Sequence, residues 1–420
     1  MSEQEKDLCV SAENNTHSAA AVAPGKKLLL FGIGSCGIHI VNAFMQLPGS
    51  SRLTTAIIDT DLSEVENSPA DIRIHAEAEW AVKSGLGCGG DIGKGERAIS
   101  RERQNMTKVM TGYDYLIVCG GLGGGTATGG VRIAASVAKS LSIPAIFLLT
   151  TPFSFESYPR RKNAEDSLTE LFQLTDALAI IPNDLLFSTL PPDAGVQEAF
   201  DLASSEMAKC VFGCSELLTS SKVVGGEYSD ILPLLRKKRS NCSLGIGEAD
   251  GSEGLDRCGL ALSRLLDSPF LGGISHLDRS DALLFTITGG PDLGMAELKQ
   301  TLERASRIFP EGIPVTSGVT IHPEFGSKVL LTLLAICYDK EASGRDTLWH
   351  PEEQKEKLAE SAGPMEQGIL DLQTYSKGIF AGSMLTKYKG EDLDIPTFQR
   401  KNLTIDKGTT LNQSGHSGTR

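Results

Sequence analysis

Two glycine-dense stretches carry the residue types and spacing of phosphate chemistry. Cys119 to Gly130 reads CGGLGGGTATGG, seven glycines in twelve residues, with Thr126 and Thr128 one residue apart. So little side chain lets several backbone N–H groups converge on one anion, and the two hydroxyls can add donors. The run Gly123-Gly124-Gly125-Thr126-Ala127-Thr128-Gly129 leads into VRIAASVAK, so its amides would stand at a helix N-terminus, where the dipole favours negative charge. A second loop, Gly32-Ile33-Gly34-Ser35-Cys36-Gly37, fits G-x-G-x-x-G, with Asp59 ending the next apolar run about twenty residues on. No G-K-[ST] follows the dense loop, so it is not a Walker A loop. Two such loops facing one cleft point to a nucleotide with a polyphosphate tail. Read alone, the G-x-G-x-x-G loop is also a tight strand-to-helix turn without a ligand, and the denser one a low-complexity stretch. The strongly patterned flanks weigh against that second alternative.

Positioning these loops requires strands that end at them and helices that begin there. From Lys26 to about Asp184 the runs KLLLFG, LTTAIID, YLIVCGG, PAIFLLTT and LAIIPN alternate with helical stretches such as IHIVNAFMQL, VRIAASVAKSL and AEDSLTELFQL. Short apolar strands alternating with helices predict an α/β fold with a parallel sheet wrapped by helices. From Ala194, Val196, Phe200, Ala203, Met207, Val211, Cys214 and Leu218 recur every three or four residues, the period of one long helix. Beyond it, SLGIGEA, ALLFTITGG, PVTSGVTIHP and KVLLTLLAICY read as strands, and EGLDRCGLALSRLL and MAELKQTLERASRIF as helices. The expected organisation is a disordered arm over 1–24, a nucleotide-binding domain over 25–193 and a central helix over 194–218. A smaller α+β domain (219–340), a linker (341–390), an apolar island within 391–404 and a polar tail (405–420) complete it.

A chain of 420 residues exceeds what one hydrophobic core usually serves, which fits this division. The net charge of −13 argues against a general nucleic-acid binder. Nine scattered cysteines without a C-x-x-C pair suit neither a disulfide framework nor a zinc site, and the seven histidines show no metal spacing. Cys210 and Cys214, one helical turn apart, are expected to pack as small hydrophobes. No apolar run reaches the length of a membrane span, and the first residues lack the pattern of a signal peptide, so the expected location is the cytoplasm. The run Arg236 to Arg239 reads as a solvated helix end.

G-G-G-T-x-T-G after a strand resembles the signature of the tubulin/FtsZ superfamily, and further motifs are similar to those of the bacterial FtsZ proteins. Gly85 to Asp91 (GLGCGGD) is similar to that family's third phosphate loop, and Thr151 to Glu156 (TPFSFE) to its ribose-contacting loop. Ile181 to Asp184 (IPND) matches the segment before the core helix, and Ile287 to Leu293 (ITGGPDL) a hallmark of the second domain. The tail island LDIPTFQRK (Leu393 to Lys401) looks like the peptide by which the family docks on membrane-tethering division proteins such as FtsA. The resemblance implies GTP and GDP binding, an accompanying Mg2+ ion, head-to-tail self-assembly and filaments at the division site. It places Gly32, Gly34, Ser35, Cys36, Gly37, Gly123, Gly124, Gly125, Thr126, Ala127, Thr128 and Gly129 along the phosphates. Glu156 would meet the ribose, Arg160 the phosphate side, Phe200 the base and Ser204 the base edge, with Asn42 supporting the site. Without the resemblance, Phe200 is helix core, and Glu156 and Arg160 are solvated loop charges.

The resemblance also implies that hydrolysis needs a second subunit, whose N-x-D-x-x-D loop supplies the catalytic carboxylates; such a heterologous contact does not close on itself and so propagates. Here the corresponding residues are Gly225, Glu227 and Asp230: the asparagine is lost and the first carboxylate stands one methylene further out. A displacement near 1 Å costs on the order of 10²-fold in rate, so the expectation is GTP binding with slowed turnover. Unassisted by the family, Glu227 and Asp230 are acids favouring a helix N-terminus. His39 stands where the family usually has asparagine, Ala127 replaces a glycine, and Ser204 replaces an amide or carboxylate that reads guanine. Three other readings stay open: a catalytically weak scaffold paralogue that co-assembles with a regular FtsZ, a tubulin-like paralogue outside division, and a Rossmann dehydrogenase built on Gly32 to Gly37. Deleting Leu393 to Lys401 is expected to abolish capture by the membrane-tethering partner in a pull-down while leaving GTP-dependent sedimentation intact.

Overall fold

The strand order of the sheet explains why the two glycine loops meet. A computed structural model describes residues 26–77, 87–187, 195–219, 224–225, 231, 233–235, 240–254, 256–338, 387–388 and 391–392. The arm 1–24, Glu227, Asp230 and the tail peptide Leu393 to Lys401 lie outside the described residues. The chain begins with β1 (Leu28–Ile33), α1 (Gly34–Phe44), β2 (Thr54–Asp59), α2 (Leu62–Asn67) and β3 (Ile72–His75). Next come α3 (Ile92–Arg101), α4 (Arg103–Met110), β4 (Tyr115–Gly121), α5 (Gly125–Leu141), β5 (Ala145–Thr151), α6 (Tyr158–Leu174), β6 (Ala177–Pro182) and α7 (Asn183–Phe187). Their strands run parallel in the order β3-β2-β1-β4-β5-β6. The chain winds outward from β1 in one direction and from β4 in the other, so the β1/β4 boundary is a topological switch point with a crevice beyond the strand ends. Ile33 and Gly120 are register partners there, which sets the loops after β1 and β4 side by side.

The second half extends the same sheet. It contributes α8 (Val196–Thr219), β7 (Val224–Gly225), β8 (Ser240–Asp250), α9 (Arg257–Leu266), β9 (Ala282–Gly289), α10 (Met295–Ile308), β10 (Val315–Ile321) and β11 (Lys328–Tyr338). Strand β8 pairs in parallel with β6 over Ala177–Ala179, and the order continues β8-β11-β9-β10-β7, giving a mixed sheet of eleven strands. The mixed α/β class and the long helix expected from the sequence are both present. The short elements β3, α2, α3 and α4 were not foreseen. A separate unit, Glu352–Arg420, contains β12 (Lys387–Tyr388) paired antiparallel with β13 (Glu391–Asp392).

Helix α8 holds the halves together because it is buried on every side along residues 211–218. Met207, Val211, Cys214 and Leu218 share one apolar cluster with Leu28, Ile38 and Phe44 of the first half and Leu244 and Leu334 of the second. Cys210 and Cys214 pack as small hydrophobes, and burial raises both thiols above their ordinary range. Where α8 passes the end of β10, His322 and Glu216 are both buried and meet at 2.9 Å, in contact with Phe212 and Phe325. The Gly49 N–H, just after α1, donates to the Glu324 carboxylate beside them. A buried acid is tolerable only with such partners. The tightest point is Gly213, where a Cβ would lie 2.2 Å from Thr332 Oγ1. Gly213→Ala is therefore expected to lower the unfolding free energy by about 1–3 kcal/mol. Adding Thr332→Ala should recover only part of this in urea denaturation, since a Gly213 methyl would still lie 2.9 Å from Thr332 Cβ.

Candidate nucleotide site

Three loops surround the crevice at the switch point, and their glycines divide into two kinds. One kind permits backbone to lie on backbone. A Cβ at Gly32 would fall 2.6 Å from the Gly37 carbonyl oxygen, and one at Gly37 would fall 2.7 Å from that of Cys119. Gly125 and Gly129 do the same for α3, approaching the Asp91 carbonyl oxygen and the Glu96 nitrogen at 2.7 and 2.5 Å. The other kind faces open space. At Gly124 an added Cβ would meet only the Arg160 guanidinium, at 4.0 Å, and at Gly89 and Gly90 it would meet nothing. Gly34, Gly89, Gly90 and Gly123 all have positive φ, the conformation that turns successive amides into an anion-binding concavity.

The two helices that start in this crevice are left uncapped. Among the described residues α1 and α5 have no side-chain cap and no acid in the first turn, as is also true of α4 and α6, whereas α2, α3 and α9 are capped by Asp61, Asp91 and Asp256. Their first N–H groups are unsatisfied donors with a positive dipole end behind them, which fits a phosphate chain. Ala127 lies inside the first turn of α5. Its methyl packs on Gly34 and Gly120 rather than into the crevice, and a helical residue there has no need of glycine.

The hydroxyls shape the loop as much as they line it. Thr128 is fully buried, and its Oγ1 accepts the Gly123 N–H at 2.8 Å, holding the left-handed turn closed. Thr126 shares a hydrogen bond with Thr60 at 2.8 Å and contacts Cys88 Sγ at 3.4 Å, joining the ends of β2 and β4 to the third loop. That loop is fixed by Asp91, which accepts the Lys94 N–H, and by Asn163, whose amide donates to the Gly90 carbonyl at 3.1 Å. Thr60 and Asn163 were missed by sequence reasoning; Cys88 and Asp91 fall within the GLGCGGD loop but were given no role of their own, and only the Asp91 cap had a local signal, an aspartate opening a helical run.

The remaining predicted residues are placed as follows. Ser35 is exposed, and Cys36 is half-buried with its thiol 3.6 Å from the Thr150 hydroxyl and raised in pKa by burial. Asn42 stands more than two turns into α1, and its side-chain oxygen accepts the Ser68 hydroxyl at 2.7 Å, so it braces α1 against the segment after α2. His39 pairs with Glu64 of α2 at 3.3 Å. Glu156 accepts the Phe153 N–H at 2.9 Å and pairs with Arg160 at 2.8 Å, closing the turn before α6. Phe153 is buried and stacks on Phe155 at 4.9 Å, with Phe200 edge-on at 5.6 Å. Phe200 is 47% exposed, so it is not helix core; with Phe155 it forms an apolar shelf beside the Arg160 turn. Ser204 donates its hydroxyl to the Phe200 carbonyl at 2.9 Å. Gly225 pairs with Gly318 in β7. Among the described residues no cluster of three His, Cys, Asp or Glu is arranged to hold a metal ion, and no helix is long and apolar enough to cross a membrane.

Uncapped helix ends, open glycines and an aromatic shelf at a switch point define a nucleotide-binding α/β protein. Residues 27–191 match the sequence profile of the Tubulin/FtsZ family, GTPase domain. Among solved structures, a point mutant of FtsZ from M. jannaschii is 27% identical, with a TM-score of 0.66 over 74% of this chain and 90% of its own. An empty FtsZ dimer of the same organism is 25% identical, with a TM-score of 0.65 over 77% and 95%. CetZ1 of Haloferax volcanii, a GDP-bound monomer, shares the fold at 18% identity and a TM-score of 0.62, over 80% and 99%.

Among the described carboxylates beside the loops, Asp59, at the end of β2, is shifted by its burial. It is almost fully buried, and its Oδ1 accepts the Thr60 N–H at 2.6 Å. Burial outweighs these hydrogen bonds and raises its pKa. The folded state thus holds this proton to higher pH than the unfolded chain does, and stability falls as pH rises through the folded pKa. Asp59→Asn is expected to melt at higher temperature than the parent at neutral pH. The gap should close as pH falls towards the ordinary carboxylate range, as a thermal-melt series across pH will read.

Proposed function

We propose that this chain binds GTP across the loops after β1 and β4, assembles head to tail, and hydrolyses GTP slowly where one subunit meets the next. The observation that carries this reading is the pair of uncapped helices, α1 and α5, set side by side with an open Gly124 and Arg160 between them and α6. The GTPase-domain match supports the nucleotide, and the dimer formed by an FtsZ of M. jannaschii supports self-association.

A bound nucleotide would supply the γ-phosphoryl group, and an accompanying Mg2+ would offset the charge of its phosphates. The chain's own part is to hold the phosphates on the amides of Gly124, Gly125 and the first turn of α1, to add Arg160 on the open side, and to exclude water with the buried Thr126–Thr60 contact. Among the described residues Glu156 is engaged with Arg160 and Asp59 is buried behind Thr60, so neither is free to orient a water. Glu227 and Asp230 of a neighbouring copy are the groups we assign to that step. The same reading makes the protein a cytoplasmic filament at the bacterial division site, with the tail peptide Leu393 to Lys401 docking on a membrane-tethering partner such as FtsA.

Sedimentation and phosphate release on the purified chain test this. Polymer is expected with GTP and not with GDP. Asp230→Ala should keep GTP affinity while lowering turnover by about 10²-fold or more, the usual loss for a positioned acid–base group. Unchanged turnover would remove Asp230 from the reaction.

A further inference from the structure

We propose that Asn163 of α6 is a positioning residue for the nucleotide: its amide holds the third loop at the far end of the phosphate chain, so that the site favours a nucleoside triphosphate over the diphosphate. This rests on the nucleotide reading above and concerns the same site. The third loop is fixed on either side of its glycine pair. Cys88 Sγ lies 3.4 Å from the Thr126 hydroxyl and 3.5 Å from that of Thr60, and Asp91 accepts the Lys94 N–H at 2.9 Å as the cap of α3. Between these anchors Gly89 and Gly90 are left-handed, with φ of 57° and 82°, and a Cβ at either would meet nothing. The Asn163 side-chain N–H holds this open stretch, donating to the Gly90 carbonyl at 3.1 Å.

The place of this contact decides what it can act on. The third loop follows β3, at one edge of the order β3-β2-β1-β4-β5-β6, whereas α6 joins β5 to β6 on the other side of the β1/β4 boundary. They meet over the start of α5: a Cβ at Gly125 would touch Cys88 and the Asp91 carbonyl, and one at the adjacent Gly124 would face the Arg160 guanidinium. Arg160 and Asn163 stand one helical turn apart on α6, so one face of that helix serves both. The aromatic shelf of Phe155 and Phe200 lies beyond the end of β5 and on α8, on the Arg160 side of the crevice. A nucleotide whose base rests there extends its phosphates past Arg160 and Gly124. The group that reaches Gly89 and Gly90 is the last one.

The size of the effect follows from what an unheld loop would cost. Glycine loses more conformational freedom on ordering than any other residue, so a free Gly89–Gly90 pair would have to be ordered by the ligand itself. With Asn163 in place that ordering precedes binding, and a ligand that touches the loop gains affinity accordingly. A diphosphate that ends short of the loop gains nothing. The bias is that of one hydrogen bond, about three- to tenfold.

The test is displacement of fluorescent N-methylanthraniloyl GDP from the full chain by GDP and by the slowly hydrolysed GTPγS. Asn163→Asp keeps the shape of the side chain and removes the donor. It is expected to weaken GTPγS about three- to tenfold, and GDP by less than about twofold. Gly90→Ala adds a methyl in open space but strains the left-handed position, so it reaches the same loop without touching α6. The same selective loss is expected of it. Equal losses for the two nucleotides would make Asn163 a brace of α6 alone and overturn the proposal. Unchanged GTPγS affinity in Asn163→Asp overturns it too, even where Gly90→Ala loses affinity. Both results leave the nucleotide reading standing; failure of the parent to bind either nucleotide overturns both.

Discussion

The structure depends on one contact of backbone with backbone. Helix α1 begins so close to β1 and β4 that the Gly37 position touches the Gly32 carbon atoms and the Cys119 carbonyl oxygen, with room for no side chain at either glycine. This approach lets α1 start beside α5 at the switch point. Two helix ends then aim at one volume rather than two. A methyl group at Gly32 or Gly37 would push α1 off the sheet and separate the two sets of amides, so the packing of the first domain and the geometry of its site are a single constraint.

Other features follow from that approach. With α1 against β4, the loop after β4 must turn within a few residues, and it does so through Gly123 at positive φ, locked by the Thr128 hydroxyl. Helix α3 lies across the start of α5 because Gly95, Gly125 and Gly129 carry no side chains, and a Cβ at Gly95 would lie 2.1 Å from the Gly125 carbonyl oxygen. The third loop is thereby carried to the crevice, and Asn163 ties it to α6. On the far side, α8 packs against α1 and passes beneath β8, β9 and β11, so the shelf residue Phe200 is set by the same helix that joins the two halves.

Much of this was legible in the sequence, and the reason is local. Runs such as LLLFGI and AIFLLTT are buried on both faces as β1 and β5, and apolar composition with short length is enough to reveal that. The spacing of Val196, Phe200, Met207, Val211 and Leu218 marked α8 because helical period is also local. Helix α3 escaped because IGKGERAISR has two glycines and four charges in ten residues, a poor helix pattern that makes sense only when its glycines meet those of α5. The continuity of the sheet from β6 to β8 escaped for a related reason: its three register pairs join residues some sixty positions apart.

By itself the sequence determined that glycine-rich turns would end buried strands and open helices, since strand burial, helical period and turn chemistry depend on neighbours within a few residues. It could not tell which glycines face a ligand. Gly124 and Gly125 are adjacent and chemically identical, yet one looks into the crevice and the other lies against Cys88 and Asp91. Nor could it show that the Ser204 hydroxyl turns back to its own helix, that the Ala127 methyl packs on Gly34 and Gly120, or that Phe200 is half exposed. Only the tertiary structure decided these, because the space beside a residue is filled by segments distant in the chain.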